Sequence, residues 1–385
     1  MRDKIRARFG GAREELRRRH ESLKADVVRL RERIERRDAR VTELKSSVDQ
    51  LREQIHALDR RLNQRRRSAP SPDLLRAVLQ VRAHAGIDAY TTAAAEQRER
   101  RFMEGSDAYR SLRDDETART AGLERLTIDG LEWWVPLDER LPQRAERAKD
   151  QGFPYRVLLQ TREVAVGGVM LDLGGNIGRT SVTRGLLGDV RAVYAAEPEP
   201  LNYAALLQNV IAHGMRGIVL PDQVAVGGER GEVRLLRSRF MGGHRVLADG
   251  VKERGAQVVS VPCWPVDAWM DRIGCDPRAV TFVKVDVQGS EIGIMRGAAG
   301  LLARRQAAWQ FEVDPSLLGK AGHTVGELFT AFEAHFTHYI DMNPDPPGER
   351  VNPIGEMRER LAYVGVDQDK TDLLLIPVDA ASGGL

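Results

Sequence analysis

The sequence has few cysteines, which limits the chemistry that the chain can support. Its 385 residues include only two, Cys263 and Cys275. They are too far apart for a CxxC redox or zinc pattern. We therefore expect two buried, unreactive thiols.

Long apolar runs are also missing. The arginine-rich residues 1–20 contain no apolar stretch that could form the hydrophobic region of a signal peptide. No later segment reaches the roughly 18 uninterrupted apolar residues that a membrane-spanning helix needs. The sequence thus predicts a cytoplasmic protein without a transmembrane segment.

Length and charge indicate more than one structural unit. A chain of 385 residues with 42% hydrophobic and 30% charged residues is ordinary for a folded protein and exceeds the usual span of one core. The first 67 residues hold 22 Lys or Arg against 12 Asp or Glu, a net charge of +10, and the remainder carries −7. Any attraction to a polyanion would belong to the N-terminal segment.

Residues 16–62 fit one uninterrupted heptad register without Pro or Gly. The a positions are Val27, Ile34, Val41, Val48, Ile55 and Leu62, after His20. The d positions are Leu16, Leu23, Leu30, Arg37, Leu44, Leu51 and Leu58. β-Branched residues at a with Leu at d favour a parallel two-stranded coil, and such a helix would be about 70 Å long. We expect a homodimer through residues 16–62; the alternative is an arm folded back on its own domain.

The segment R-S-A-P-S-P at residues 67–72 predicts a linker after this coil. A helical, Ala- and Arg-rich stretch of undetermined role follows, and then residues 126–135 show two short apolar runs around Asp129-Gly130, which favours a hairpin. Trp133 and Trp134 in this hairpin either stack on a sugar or base or pack against the neighbouring domain. The predicted units are a coiled coil (1–67), an accessory region (68–155) and a domain of residues 156–385.

That domain is predicted to be α/β, because apolar runs of strand length alternate with helical patterns. The seven runs are residues 169–173, 192–196, 217–226, 280–287, 308–313, 338–342 and 372–378. The pattern indicates a mostly parallel, Rossmann-like sheet of seven strands. In such sheets ligands bind at the carboxyl ends of the strands, near the switch point in strand order.

The first run leads into the glycine loop D-L-G-G-N-I-G at residues 172–178, before a helical stretch at 179–187. Gly174 and Gly178 allow positive φ and a close approach of the ligand. The i, i+2, i+5 glycine spacing of a dinucleotide site is missing, and Asp172 would repel pyrophosphate but suit the ammonium of a methionyl group.

Glu197 closes the second run about 25 residues after Asp172, where a carboxylate can accept hydrogen bonds from both ribose hydroxyls. Together the two signals predict binding of S-adenosylmethionine. The alternative is a tight βα turn that has lost its ligand.

Four segments resemble the FkbM family of methyltransferases: residues 169–178, 194–202, 283–291 and 309–312. The resemblance covers roughly residues 165–343 and implies a class I methyltransferase fold that methylates hydroxyl groups of sugars and polyketides. It also implies a cofactor site in which the glycine loop holds the methionyl part, Glu197 the ribose, and Asn202 supports the pocket. The cofactor candidates in the loop are Asp172, Gly174, Gly175, Asn176 and Gly178.

One departure concerns Gln288, which stands where the family pattern K-I-D-V-E-G-x-E has its first glutamate. The neutral amide puts any proton-accepting or metal-binding role of that position in doubt, and the need for a metal stays open. Lys284, Asp286 and Glu291 match the pattern and are the catalytic candidates that it implies.

Asp286 is the first candidate for orienting or deprotonating the acceptor hydroxyl. His244, in a glycine-rich loop, is either a general base or an exposed loop histidine. Glu291 is either catalytic or a cap of the helix beginning near Ser290. Glu312 ends the fifth predicted strand and has an undecided orientation.

The leading hypothesis is a dimeric O-methyltransferase acting on a glycan or a glycosylated or polyketide metabolite. The alternative is a scaffold in which the basic coil recruits the chain to a polysaccharide-synthesis complex or an anionic surface, with weak or absent catalysis. Nucleic-acid methylation is less favoured, because the excess positive charge lies on a heptad helix and the domain itself is acidic.

Overall fold

The computed structural model describes residues 115–128, 131–137, 157–158, 161–238, 243–247, 257–342, 351–364 and 370–377. The predicted coiled coil, its dimer contact and the linker lie outside the described residues. Within the described ranges, none of the helices is both long and apolar enough to span a bilayer.

The secondary structure alternates between strands and helices after an initial hairpin. The strands are β1 (Leu123–Ile128), β2 (Leu131–Pro136), β3 (Val169–Leu173), β4 (Ala192–Ala196), β5 (Val219–Asp222), β6 (Ala225–Gly227), β7 (Gly231–Arg237), β8 (Arg245–Val246), β9 (Gln257–Pro265), β10 (Val280–Val285), β11 (Ala308–Val313), β12 (His338–Asp341), β13 (Asn352–Pro353) and β14 (Thr371–Ile376). The helices are α1 (Asp115–Thr120), α2 (Arg162–Ala165), α3 (Arg179–Leu187), α4 (Pro200–Ala212), α5 (Val266–Ile273), α6 (Glu291–Gly297), α7 (Ala299–Ala303), α8 (Pro315–Lys320), α9 (Val325–His335) and α10 (Met357–Arg360). Short 3-10 turns span Pro277–Ala279 and Ile354–Glu356.

The main sheet has the order β13-β12-β14-β11-β10-β3-β4-β5. The five strands from β11 to β5 are parallel, and β14, β12 and β13 are antiparallel to their neighbours. The α/β class is therefore confirmed, with a mixed sheet. The main sheet has eight described strands, one more than the predicted seven, because the two-residue β13 adds a strand at its edge.

The switch point lies between β3 and β10. From β3 the chain adds β4 and β5 on one side, and then crosses to the other side with β10 and β11. After β3 the chain passes to a helix on one face of the sheet, and after β10 to a helix on the other face. A ligand crevice is expected at the carboxyl ends of the strands at such a point.

The prediction of one strand over residues 217–226 was wrong. The run divides into β5, which closes the main sheet, and β6, which pairs with β9 in a second sheet of order β6-β9-β7-β8. The Val224 N–H bonds the Asp222 carbonyl at 3.0 Å, which marks the turn between them. Apolar composition alone does not reveal where a chain leaves one sheet for another, and the second sheet was missed.

Two apolar layers cover the main sheet. One packs α3, α4 and the β1–β2 hairpin against one face, and the other packs α5, α6, α7 and α9 against the opposite face. Strands β3 and β4 are buried at every position, as parallel strands with two covered faces must be.

The hairpin is confirmed, since β1 and β2 pair antiparallel with Ile128 opposite Leu131. Trp133 and Trp134 have 1% and 2% exposure, and the Trp133 ring lies 4.9 Å from that of His213, just after α4. Both indoles thus pack against the domain, and the alternative of a ligand stacked on them was wrong.

Candidate active site

A pocket opens at the switch point, with about 650 Å³ of empty space including open solvent at its mouth. The main sheet contributes Gly174 and Asn176 after β3, Glu197 after β4, and Asp286 and Gln288 after β10. The second sheet and the turn before it contribute the opposite wall, formed by Val224, Ala225, Val226, Leu235, His244, Arg245 and Val246. Most of this wall was missed from the sequence, although the alternation E-V-R-L at residues 232–235 is a strand signal.

The glycine loop has the backbone that its sequence predicts. Gly174 and Gly178 have φ of 88° and 85°, a region that favours glycine. A Cβ on Gly174 would lie 1.9 Å from the Asp286 carbonyl oxygen, and one on Gly178 would lie 2.4 Å from Leu206 Cδ1. The two loops of the switch point therefore touch through Gly174. Gly175 packs 3.3 Å from Ala195 and Leu206 by the same measure.

Asp172 turns into the sheet. Its carboxylate is fully buried and accepts a hydrogen bond from the Ser181 hydroxyl on α3. Its Oδ1 lies 3.6 Å from Lys284 Nζ, on the adjacent strand. Burial raises the pKa of Asp172, which Lys284 and Ser181 oppose. The direct ammonium contact expected of Asp172 stays a prediction, and in this structure the carboxylate anchors the loop to α3 and β10.

Glu197 lines the pocket with 5% exposure and is held by two backbone donors. Its Oε2 accepts from the Asn176 N–H at 2.8 Å, and its Oε1 from the Glu199 N–H at 2.9 Å. A carboxylate oxygen accepts more than one hydrogen bond, so both oxygens keep capacity for a ligand. Burial raises the pKa of Glu197 to about 7, against the lowering effect of these two N–H groups.

Asn176 and Asn202 both line the pocket. Asn176 has φ of 50°, and its Oδ1 accepts from the Ile177 N–H at 2.7 Å. The Asn202 N–H donates to Oε2 of Glu199 at 2.7 Å, so Glu199 caps α4. The other oxygen of Glu199 accepts from Arg237 Nε at 2.7 Å, which ties the second sheet to α4. No motif in the sequence indicates this ion pair between Glu199 and Arg237.

Asp286 belongs to a charged network across three strands. Its Oδ2 accepts from Lys284 Nζ at 3.1 Å, and its Oδ1 from Gln288 Nε2 at 2.8 Å. Gln288 Nε2 also donates to Glu312 Oε2 at 3.0 Å, and Lys370 bonds the other oxygen of Glu312.

The network sets the charge of its members. Burial opposes the charged form of Asp286, but Lys284 and Gln288 outweigh it and lower the Asp286 pKa. Burial likewise opposes the charge of Lys284, while Asp286 and Asp172 raise its pKa. Burial, aided by Asp286, raises the pKa of Glu312 to about 7. At neutral pH the pocket thus presents an ionised Asp286 beside a charged Lys284.

His244 lies on the pocket wall formed by the second sheet. Its Nδ1 accepts a hydrogen bond from the Ser238 N–H at 3.0 Å. A neutral imidazole that accepts at Nδ1 carries its proton on Nε2, and burial lowers the His244 pKa. This arrangement argues against the predicted base role, because Nε2 then donates a hydrogen bond instead of taking a proton.

Glu291 begins α6 and is 3% exposed. Its Oε1 accepts from the Gly289 N–H at 3.1 Å, and burial raises its pKa to about 7. The side chain thus braces the loop after β10, which agrees with the capping alternative for Glu291.

Neither cysteine reaches the pocket wall: Cys263 and Cys275 are buried free thiols, and burial raises both pKa values. Among the residues that the structure describes, no group of three or more His, Cys, Asp or Glu is arranged to hold a metal ion.

Comparison with known proteins identifies one family. Residues 172–362 match the family model of the methyltransferase FkbM domain. A search of curated proteins gives no significant match.

Several solved structures are similar to this chain at low identity. An FkbM methyltransferase from Methylobacillus flagellatus shares 16% identity over 54% of this chain and 43% of its own, with a TM-score of 0.33. A Thiobacillus denitrificans methyltransferase in complex with S-adenosyl-L-homocysteine shares 14% over 63% of this chain and 100% of its own, with a TM-score of 0.29. The M. jannaschii tRNA m1G37 methyltransferase shares 10% over 66% of this chain and 56% of its own, with a TM-score of 0.30. This chain therefore spans less than half the length of the first of them, and none of the three indicates its substrate.

Proposed function

Since this chain carries a methyltransferase domain of the FkbM family, we propose that it is an S-adenosylmethionine-dependent O-methyltransferase. The proposed acceptor is a hydroxyl group of a glycan or of a glycosylated or polyketide metabolite. The observation that carries the proposal is that the glycine loop, Glu197 and Asp286 face one pocket.

The residues of this pocket fit the cofactor. Gly174 and Asn176 of the glycine loop line the pocket, and Glu197 presents a carboxylate that is already oriented by two backbone N–H groups. When bound, S-adenosylmethionine would supply its methyl group as a sulfonium; transfer to the acceptor oxygen would leave S-adenosylhomocysteine, and the hydroxyl proton would pass to solvent. The protein then supplies alignment more than activation.

Asp286 is the proposed orienting residue for the acceptor hydroxyl. Its carboxylate is about one-third exposed and lies at the end of β10, and Lys284 and Gln288 fix both of its oxygens. Because its pKa is lowered, Asp286 accepts a hydrogen bond from the hydroxyl rather than holding its proton. His244 is proposed as a hydrogen-bond donor to the acceptor through Nε2.

Gln288 does not weaken this proposal, although the family pattern has glutamate there. Its amide donates to Asp286 and to Glu312 at once. A glutamate at this place would bring a third carboxylate next to two others and would require protonation or a cation. The amide of Gln288 therefore links Asp286 and Glu312 without an added proton or cation.

For His244 we expect a modest effect that does not depend on pH. His244→Ala should lower turnover by less than about tenfold, since it removes one hydrogen-bond donor, and the shape of the pH–rate profile from pH 6 to 9 should persist. Steady-state methyl transfer measured over this range checks the expectation. If the pH–rate profile of His244→Ala instead lacks a limb that the wild-type profile has, His244 acts as a general base after all.

Calorimetry with S-adenosylmethionine and its demethylated product tests the proposed function directly. We expect both to bind the full-length chain in a 1:1 ratio to the catalytic domain, and methyl transfer to appear with hydroxyl-bearing acceptors. If the chain binds the cofactor but methylates only amines or nucleic acid, it is a methyltransferase and the proposed hydroxyl acceptor is wrong. Absence of cofactor binding would leave the scaffold hypothesis.

A further inference from the structure

Asn209 connects the hairpin to the glycine loop from a fully buried position on α4. Its Oδ1 accepts from the Trp134 N–H at 2.7 Å, and its Nδ2 donates to the Trp134 carbonyl at 2.8 Å. The same Nδ2 donates to the Ile177 carbonyl at 2.8 Å. Both donor hydrogens of this amide are thus used, one on each partner.

Ile177 is part of the loop that forms the cofactor pocket. It lies between Asn176, which lines the pocket and donates to Glu197, and Gly178, where φ is 85°. The carbonyl that Asn209 holds therefore belongs to the left-handed turn of the loop, two peptide groups after the Asn176 N–H. Release of this carbonyl is expected to let the turn move and so weaken the bond from the Asn176 N–H to Glu197.

A second tie holds the hairpin and does not reach the loop. His213 Nε2 lies 2.8 Å from the Glu132 carbonyl, and the ring packs on Trp133. The His213 side chain bonds the hairpin and does not bond the glycine loop, so a substitution of this side chain separates docking of the hairpin from support of the loop.

We propose that Asn209 is a positioning residue that couples the β1–β2 hairpin to the glycine loop, so that cofactor affinity depends on a segment preceding the family domain. The proposal rests on the proposed function, because it concerns the same pocket. The hairpin ends at residue 136 and the matched family domain begins at residue 172, so the coupling is a property of this chain's own accessory region.

Coupling between two sites is reciprocal, and this gives a test without any substitution. If the hairpin supports the loop, saturation of the full-length chain with S-adenosylhomocysteine must slow hydrogen exchange of the Trp134 N–H, which we expect by about tenfold. Amides of β12, near the far edge of the main sheet, serve as the control and should change little. Unchanged exchange at Trp134 under saturation would overturn the coupling.

Substitution gives the second test. Asn209→Asp keeps the acceptor for the Trp134 N–H but removes both donations, and we expect S-adenosylhomocysteine to bind about tenfold more weakly. The matched variant His213→Phe keeps the ring on Trp133 and loses only the bond to Glu132; its affinity should stay within about twofold. Equal losses in the two variants would show a general effect of hairpin docking and would overturn the specific role of Asn209.

The two proposals fail in distinguishable ways. If the wild-type chain does not bind S-adenosylhomocysteine, the proposed function is wrong and the coupling falls with it. If the wild type binds while Trp134 exchange is unaffected, the coupling alone is wrong. The exchange measurement uses the wild-type chain, so it decides the matter even where Asn209→Asp does not fold.

Discussion

Glu197→Ala should weaken binding of S-adenosylmethionine by about a hundredfold or more. A carboxylate at this position can accept from two adjacent ribose hydroxyls, and hydrogen bonds to a charged group contribute roughly 1.5–3 kcal/mol each, with about 1.4 kcal/mol per factor of ten. The variant also leaves the Asn176 and Glu199 N–H groups without their acceptor, which loosens the loop. Titration calorimetry measures the loss.

Glu312→Ala is the matched control for this experiment. Burial raises the pKa of Glu312 to about 7, as it does for Glu197. Glu312 lies at the end of β11, however, where it bonds Gln288 and Lys370 and not the glycine loop. Its removal should leave cofactor affinity within several-fold. Comparable losses in the two variants would contradict a ribose contact by Glu197, as would an unchanged affinity in Glu197→Ala.

The raised pKa of Glu197 predicts that both stability and cofactor affinity depend on pH. The pKa of Glu197 rises from 4.5 to about 7 on folding, so the folded chain without cofactor binds this proton more tightly than the unfolded chain does. The contribution of Glu197 to the unfolding free energy therefore falls as pH rises from 4.5 to about 7. Ribose hydroxyls favour the ionised form, so cofactor affinity should increase with pH up to about 7 and then level off. Glu197→Gln should abolish this increase, while Glu312→Ala should retain it.

Asp286→Asn should slow methyl transfer by about a hundredfold, because the acceptor hydroxyl loses its positioning, and should leave cofactor affinity within several-fold. The amide would place a donor against either Lys284 or Gln288, both of which already donate to Asp286. The acceptor hydroxyl would then lose its charged partner. Single-turnover methyl transfer together with calorimetry separates the two effects.

Asp372→Asn is the matched control for Asp286→Asn. Asp372 is a carboxylate of the same charged region on β14, where burial raises its pKa, and it accepts from Gln310 at 3.0 Å. Its substitution should leave turnover within several-fold. Full turnover in Asp286→Asn would remove Asp286 from the mechanism, and equal losses in both variants would assign the effect to the overall charge of the region.

The sequence by itself determined the features that contiguous residues fix. About twenty adjacent residues contain a buried strand, a loop with glycines at 174 and 178, and a helix. Because these elements are contiguous, the position of the pocket and the positive φ values could be predicted. The β1–β2 hairpin followed from the Asp129-Gly130 dipeptide in the same way. Glu197 could be placed at the end of the second strand, because parallel strands bring their carboxyl ends to one edge.

The tertiary structure decided what depends on residues distant in the chain. The contacts of Asp172 with Ser181 and Lys284 depend on packing across β3, α3 and β10. The proton position on His244 depends on the Ser238 N–H. The division of residues 217–226 between two sheets depends on β9, which begins more than thirty residues later. Asn209 and Trp134 are 75 positions apart, and periodicity reports which face of an element is buried but never which distant polar group meets it there.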